Sequence, residues 1–507
     1  MPQDDASNPE PAASPAATGP ASPAEWQPDP KRWRALAVTQ IAAFMSLLDV
    51  SIVNVALPSI ERGLGASAAS VQWVVSGYAL TLGLVLVAAG RLGDTLGRRR
   101  MFLIALSAFV VTSALTGAAP TMQLLIVARL LQGIAGGMLI PQNSGLVQDL
   151  FRGPERGRAF GILGATIGLS TAAGPIIGGL ILSAFPGPDG WRWVFYVNVP
   201  IGLVGLLLAS RLVPATTRAA RRAAHLDLVG ALLLGGGVLS LLFPLVSADT
   251  GDLARGWPLF VVAMLLFAAF AWWEGRTVAK GRAPLLEPRL ARTSGFPAGS
   301  GIGLLYYIGF AGIWLVLALY FQAGLGYSPL RSGLSVTPFA LGVAASAAIA
   351  GRLVPRFGRR LTVFGLGATI VGLAATAIVL LHVQGDAAGW AVAAPLLLGG
   401  LGAGMVTSPN MTLTLQEVPV SMAGAAGGAL QTAQRIGSAI GTAVLAAVFY
   451  QVLSGTGFDY QAAASDALLF ACAFMVLALL MAVAELVLRR PRHLKQPALG
   501  QAHMHHV

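Results

Sequence analysis

Long apolar runs separated by short polar segments dominate the chain. A helix needs about 20 apolar residues to cross a bilayer, and runs of that length recur from end to end. Between charged or turn-rich breaks they predict fourteen spans, at approximately 35–57, 71–90, 101–119, 122–146, 158–183, 193–213, 227–247, 257–274, 298–322, 332–352, 361–381, 388–412, 422–450 and 466–488. The expected fold class is therefore all-α integral membrane with 14 transmembrane helices. The 62 glycines spread through these runs fit that reading, because small residues let membrane helices approach closely.

The polar segments give the orientation. With the N-terminal tail inside, the inner segments hold 27 of the 33 Lys and Arg; the outer ones hold only Arg62, Arg192, Arg255 and Arg331. That bias matches the positive-inside rule and places both termini in the cytoplasm. Arg129 and Arg435 remain within spans. Residues 90–99 read GRLGDTLGRR and residues 351–360 read GRLVPRFGRR, with six of ten positions alike. Each copy follows the second span of a six-span set. Spans 1–6 and 9–14 are thus expected to form two parallel six-helix bundles, with spans 7 and 8 an inserted pair, an arrangement used by transporters. The implied division is a disordered cytoplasmic tail at 1–32, a first bundle at 33–213, an inserted segment with its linkers at 214–297, a second bundle at 298–490 and a cytoplasmic tail at 491–507.

Composition narrows the chemistry. Hydrophobic residues make up 55% and charged residues 11% of the 507, far below the roughly 25% charge of a soluble domain. The net charge of +12 sits in short runs between spans, which excludes a nucleic-acid surface. The single cysteine, Cys472, lies in an apolar run and reads as core filling. Residues 1–30 hold eight prolines, no Lys or Arg and no apolar segment, so no signal peptide is expected there. None of the three lysines follows a glycine, so a phosphate loop is missing. The motifs of zinc peptidases and serine hydrolases are missing too. His503, His505 and His506 cluster at the C-terminus and read as tail. No enzyme, cofactor or metal site is expected.

Several motifs remain. Leu48-Asp49-Val50-Ser51-Ile52-Val53-Asn54-Val55-Ala56-Leu57-Pro58 lies in span 1. Gly90 to Arg100 forms the segment between spans 2 and 3. Span 4 carries Arg129-x-x-Gln132-Gly133. Span 5 carries Gly164, Gly168, Gly174-Pro175 and Gly178-Gly179. Trp191-Arg192-Trp193-Val194-Phe195-Tyr196-Val197-Asn198-Val199-Pro200-Ile201-Gly202 leads into span 6. From about residue 33 to 490 the chain resembles the major facilitator superfamily, and in particular its fourteen-span drug:proton antiporter branch, the QacA- and EmrB-like proteins. The resemblance implies alternating access driven by protons as the coupling ion, a span 1 Asp and span 4 Arg in proton coupling, a latch after span 2 that holds the outward-facing state, and a span 5 antiporter motif.

The residues themselves support two readings at each place. Counting along the helix rise puts Asp49 about 12 Å and Arg129 about 10 Å below the same outer ends. An ionised group at such depth costs roughly 2.5–3.5 kcal/mol and is functional by default. The pair is expected to be a proton carrier, with Asp49 as the titrating member because arginine stays charged; the plain alternative is a static ion pair. Asp94, braced by Arg91 and Arg98 among Gly90, Gly93 and Gly97, is expected in a loop, where it would bind a helix N-terminus of the second bundle; the alternative is a solvated loop charge. Gly164, Gly168 and Gly174 are expected to offer a flat face to a second-bundle helix, with Pro175 removing a backbone bond and Gly178 and Gly179 completing the motif. Cavity candidates are Gln132, Tyr306, Tyr307, Trp314, Gln431, Gln434 and Arg435. Aromatic walls suit lipophilic or cationic compounds, although packing explains most of these rings as well. Asp227 reads as a helix N-cap, Glu417 as a loop residue, and Glu485 as an interfacial residue beside Arg489.

The expected function is a proton-coupled antiporter that exports small lipophilic or cationic compounds (multidrug or antibiotic efflux) from a bacterial plasma membrane, working as a monomer with no partner beyond lipid and substrate. A proton symporter for uptake shares the fold but does not need the span 5 pattern. A receptor or lipid enzyme needs neither the repeat nor the depth-matched charges.

Overall fold

The computed structural model describes residues 28–488 apart from 67, 215–226, 247–252, 283, 287, 294, 420 and 421. The expected tails therefore lie outside the described residues except for 28–32, and so does the C-terminal histidine cluster. The described chain is helical, with no strand. Its α-helices are α1 (Arg32–Leu64), α2 (Ala68–Leu96), α3 (Arg98–Ala118), α4 (Met122–Leu150), α5 (Gly153–Ala184), α6 (Arg192–Tyr196), α7 (Asn198–Leu212), α8 (Leu228–Val246), α9 (Leu253–Ala279), α10 (Phe296–Ala311), α11 (Ile313–Leu319), α12 (Pro329–Phe357), α13 (Arg359–His382), α14 (Ala388–Ala391), α15 (Ala393–Leu415), α16 (Ala423–Gly455) and α17 (Tyr460–Leu488).

Twelve helical stretches are long and apolar enough to cross a membrane. Three of them contain a break: α6 with α7, α10 with α11, and α14 with α15. Beside these twelve, α5 passes as a bent pair, Gly153–Thr171 and Ile176–Ala184, at an angle of 43°, and α8 contributes a shorter apolar helix, Leu228–Pro244. The bend falls between Thr171 and Ile176, a stretch that holds Pro175, whose nitrogen carries no N–H. Local chemistry sets many boundaries. Thr121 accepts from Leu124 N at 3.4 Å to cap α4, Ser328 accepts from Arg331 N at 3.3 Å to cap α12, and Asp227 accepts from Gly230 N at 2.9 Å to cap α8. The helices also overrun the apolar runs, because polar turns continue the hydrogen-bonded ladder past the hydrocarbon edge. α1 thus extends to Leu64 and α16 to Gly455.

The two copies of the repeat break their helices at the same place. Gly97 (φ 95°) separates α2 from α3, and Gly358 (φ 54°) separates α12 from α13. Both positive φ values favour glycine. Each turn is followed at once by an arginine that opens the next helix, Arg98 or Arg359.

Packing concentrates within two sets of helices. Among α1–α7, one apolar cluster joins Met45, Tyr78, Leu82, Phe102, Phe109, Leu139 and Ala209, and another joins Ile52, Val53, Leu125, Trp191 and Phe195. Among α10–α17, a larger cluster gathers Tyr306, Phe321, Phe339, Leu373, Phe449 and Met475. The two sets meet mainly at the end that carries Asp94. There, Phe151, Phe160 and Leu163 pack with Met411, Leu415, Ala426 and Leu430. α8 lies against α2, α9 and α16, with Leu242 and Val238 on Leu80. α9 is peripheral: only 11% of its most apolar window is buried, against 67% for α1.

Candidate functional site

Asp49 lies on the buried stripe of α1 formed by Met45, Ile52 and Ala56, at one-turn intervals. Its carboxylate is fully buried. Arg129 projects from α4 and donates from Nη1 to Asp49 Oδ2 at 2.6 Å. Gln132, one turn on, donates from Nε2 to Asp49 Oδ1 at 3.1 Å and accepts from Arg129 Nη1 at 2.9 Å. Asn198, the first residue of α7, donates from Nδ2 to Asp49 Oδ1 at 2.9 Å. The carboxylate therefore receives three donors from two other helices.

Arg129 is equally enclosed. Its Nε donates to Val74 O at 3.0 Å, and its guanidinium lies 4.2 Å from the Tyr78 ring centroid and 5.6 Å from that of Phe195. The backbone of α4 can come this near because Gly133 and Gly137 abut Tyr78 O and Leu82 O of α2, where a Cβ would collide. Ser113 accepts from Asn198 Nδ2 at 3.1 Å and donates to Phe195 O at 2.9 Å. The result is a buried ion pair whose carboxylate accepts from three donors.

The structure thus brings Asp49 and Arg129 together and adds Asn198 and Ser113, for which the sequence suggested no role. Gln132, expected on the cavity wall, is instead spent on the ion pair.

A second cluster forms at the other end of α2. Asp94 belongs to the last turn of that helix, not to a loop as expected: the ladder continues until Gly97 ends it. Its two oxygens accept from Gly424 N and Ala425 N, each at 3.0 Å, in the first turn of α16. Arg98 Nη2 reaches Asp94 Oδ1 at 2.9 Å and Arg98 Nε reaches Asp149 Oδ2 at 2.6 Å. Gly90 abuts the backbone of Gly424, Gly93 abuts Gln142, and Gln142 Nε2 donates to Ala89 O at 2.8 Å. Gln148 Nε2 adds a bond to Ala423 O at 3.3 Å. Arg91 is half-buried, with its charge near Asp94. Asp149 and Gln148 are contributors that the sequence gave no reason to single out.

The span 5 glycines divide. Gly164 faces Ala347 and Ser408, and Gly168 faces Ala340, Val343 and Ala344. Both therefore meet helices of the second set. Gly174, expected to do the same, abuts Ser51 of α1, and Gly178 faces Ile52 and Val55. The 43° bend between Thr171 and Ile176 separates the part of α5 that meets the second set from the part that meets α1. A Cβ on Gly179 would meet nothing within 4 Å.

The cavity candidates divide too. Tyr306 is 1% exposed and belongs to the core between α10 and its neighbours. Gln434 is buried with its side chain beside Gly303 of α10. Neither lines an open space. Tyr307, Trp314, Gln431 and Arg435 are half-buried.

The second repeat copy does something different. Arg359 donates from Nη1 to Asn410 Oδ1 at 2.6 Å and pairs from Nε with Glu485 Oε2 at 2.9 Å. Glu485, expected at the interface beside Arg489, is instead buried in this pair, and Arg489 lies outside the described residues. Glu417 is exposed in a turn and Cys472 is buried in the core.

Comparison with known proteins follows the same lines. The family model described as Major Facilitator Superfamily matches residues 40–442 and 299–504. The "Probable actinorhodin transporter" of Streptomyces coelicolor is 36% identical over 436 residues, covering 84% of this chain and 74% of that one. The puromycin resistance protein pur8 of Streptomyces alboniger is 37% identical over 430 residues, covering 82% of each chain. The solved structure of the human organic anion transporter MFSD10 (TETRAN) superposes with a TM-score of 0.67 at 17% identity, covering 90% of this chain and 100% of that one, a likeness of fold alone.

Proposed function

The chain belongs to the Major Facilitator Superfamily, which makes it a multi-pass membrane transporter of small molecules and not an enzyme, and from that premise we propose that it is a proton-coupled efflux antiporter. The reading goes further in four respects. The chain is a fourteen-span member of the QacA- and EmrB-like branch, with α8 and the bent α5 counted as spans. Residues 33–213 and 298–490 are its two moving bundles, and 214–297 is an insert. Both termini are cytoplasmic, in a bacterial plasma membrane, and the monomer is the working unit. Protons alone couple transport, with no cofactor.

The observation that carries the proposal is the closed network around Asp49. A carboxylate with one cation and two amide donors, buried where water does not reach, holds one charge-neutral arrangement with the proton off. Protonation dissolves the reason for Arg129 to stay. Arg129 is also packed on Tyr78 of α2, and α2 is the helix that carries Asp94 to the first turn of α16. Loss of the pair at one end of α2 therefore bears on the latch at the other. With the Asp94 end cytoplasmic, the arrangement described above is outward-facing, closed inside by Asp94, Arg98 and the glycine contacts of α5 with α12. Export follows if substrate and proton favour opposite states. The relatives named for an actinorhodin transporter and a puromycin resistance protein support export of small compounds, which we read as lipophilic or cationic.

The test uses inverted membrane vesicles energised with a proton gradient and a panel of lipophilic antibiotics of the kinds those relatives are named for. Substrate addition is expected to collapse the gradient in vesicles with the parent protein and not with Asp49→Asn. Symport would be read as proton movement in the direction of substrate. Gradient-driven export by Asp49→Asn equal to that of the parent would remove Asp49 from the mechanism.

A further inference from the structure

Arg435 stands apart from every other deep arginine. It lies on α16 twelve residues beyond its first residue, Ala423, which is about 18 Å along the axis. Arg98, Arg129 and Arg359 are each paired with a carboxylate. Arg435 makes no hydrogen bond or ion pair with another described residue. The carboxylates buried among the helices have other partners: Asp49 has Arg129, Glu485 has Arg359, Asp94 has Arg98, and Glu274 accepts from the backbone of Leu285 and Leu286. An uncompensated cation at this depth is retained where function uses it.

Its position points between the two helix sets. On α16, Gly424 abuts Gly90 of α2, and Gly428 abuts Leu86 and Val87 of α2. Arg435 is about two turns farther along that same face. Tyr78 is displaced from Leu86 by a similar length in the matching direction on α2, and two residues beyond Arg435 the same helix meets α10, where Gly437 abuts Leu304 O and Tyr307 Cβ. Arg435 therefore lies where α16 passes between α2 and α10. Beside it runs a half-buried aromatic stripe. Tyr307 and Phe310 have ring centroids 5.7 Å apart, and Phe310 and Trp314 6.0 Å apart.

We infer that Arg435 is the specificity-determining residue of the transport site and that the cargo is an aromatic monoanion. Its ionised acid group would bind the guanidinium through paired charge-assisted hydrogen bonds, and its rings would lie along Tyr307, Phe310 and Trp314. The inference rests on the transport reading and replaces its lipophilic-or-cationic breadth with one charge class. A cation would meet an unscreened like charge in the same space.

Two probes sharing one ring system separate charge from shape: 1-anilinonaphthalene-8-sulfonate, an anion, and N-phenyl-1-naphthylamine, its neutral counterpart. Binding is measured by energy transfer from tryptophan in full-length protein held in phosphatidylcholine nanodiscs, with empty nanodiscs subtracted. The parent protein is expected to favour the anion. Arg435→Gln should weaken anion binding about tenfold, the scale of losing a charged hydrogen-bond partner, and leave the neutral probe within about twofold. Retained neutral binding also shows that the variant is folded. Arg435→Lys should keep part of the preference. The inference is overturned if the parent shows no preference for the anion, if Arg435→Gln leaves the ratio unchanged, or if it weakens both probes alike. The probe ratio is read without a proton gradient and the vesicle test reads proton movement, so a failure of proton coupling and a failure of this assignment give different results.

Discussion

Arg129 on α4 and Arg435 on α16 both carry a full positive charge far inside a long apolar helix, and their surroundings differ at every point. Arg129 has a carboxylate at 2.6 Å, an amide oxygen, a backbone carbonyl and two aromatic rings, and is 1% exposed. Arg435 is half-buried and pairs with none of the described residues. The same residue type therefore serves two ends. An enclosed, neutralised arginine stores a conformation, because moving it requires its partner to change first. An open, unpaired one stores an attraction that something from outside must satisfy.

The sharpest test of this contrast is stability in detergent. Arg129→Gln takes the paired cation away from the buried Asp49 and should cost about 3–5 kcal/mol in unfolding free energy. Arg435→Gln removes a charge that no described residue opposes and should stay within about 1 kcal/mol of the parent. Equal losses would erase the distinction between the two sites. Combining Arg129→Gln with Asp49→Asn should restore a large part of the first loss, since the partners act as one unit; a double variant as unstable as the sum of the singles would mean that the pair does not act together. Next in size is Asn198→Ala, which takes a donor from a buried carboxylate and should cost about 2 kcal/mol by thermal or chemical unfolding. The smallest effect belongs to Asp94→Asn. It keeps an acceptor but weakens the contact with the α16 terminus by about 1 kcal/mol, and should show as slower turnover in vesicles with little change in stability. Unaltered turnover would leave the α2–α16 contact as packing only.

Much of this was legible before any coordinates. Continuous apolar runs marked the helices because a bilayer admits no unpaired backbone, and the depth match of Asp49 and Arg129 emerged from two separate counts of helix rise. What stayed hidden depended on direction and bending. Asn198 stood in a motif without a role of its own, because the break at Val197 between α6 and α7, which makes it the first residue of α7, is invisible to hydropathy. Tyr306 and Tyr307 are neighbours in sequence, yet one faces the core and the other is half-open; a helix apolar on all sides does not declare which face is which. Gly174 turned to α1 because the kink lies beside it. Glu485 had Arg489 at helical spacing, but a residue 126 positions away, Arg359, is its partner.

The seam between α5 and α12 has one more implication. Gly157 and Gly351 touch through their main chains, and Gly161 meets Gly351 in the same way. At these points backbone meets backbone, and the side chains beside them are small or branched close to the chain, such as Ala347, Val343 and Val354, so the joint has only shallow teeth. Surfaces of that kind can part and reseat through many cycles without waiting for rotamers to unlock, and cargo preference can drift elsewhere in the protein while the hinge itself keeps its fit.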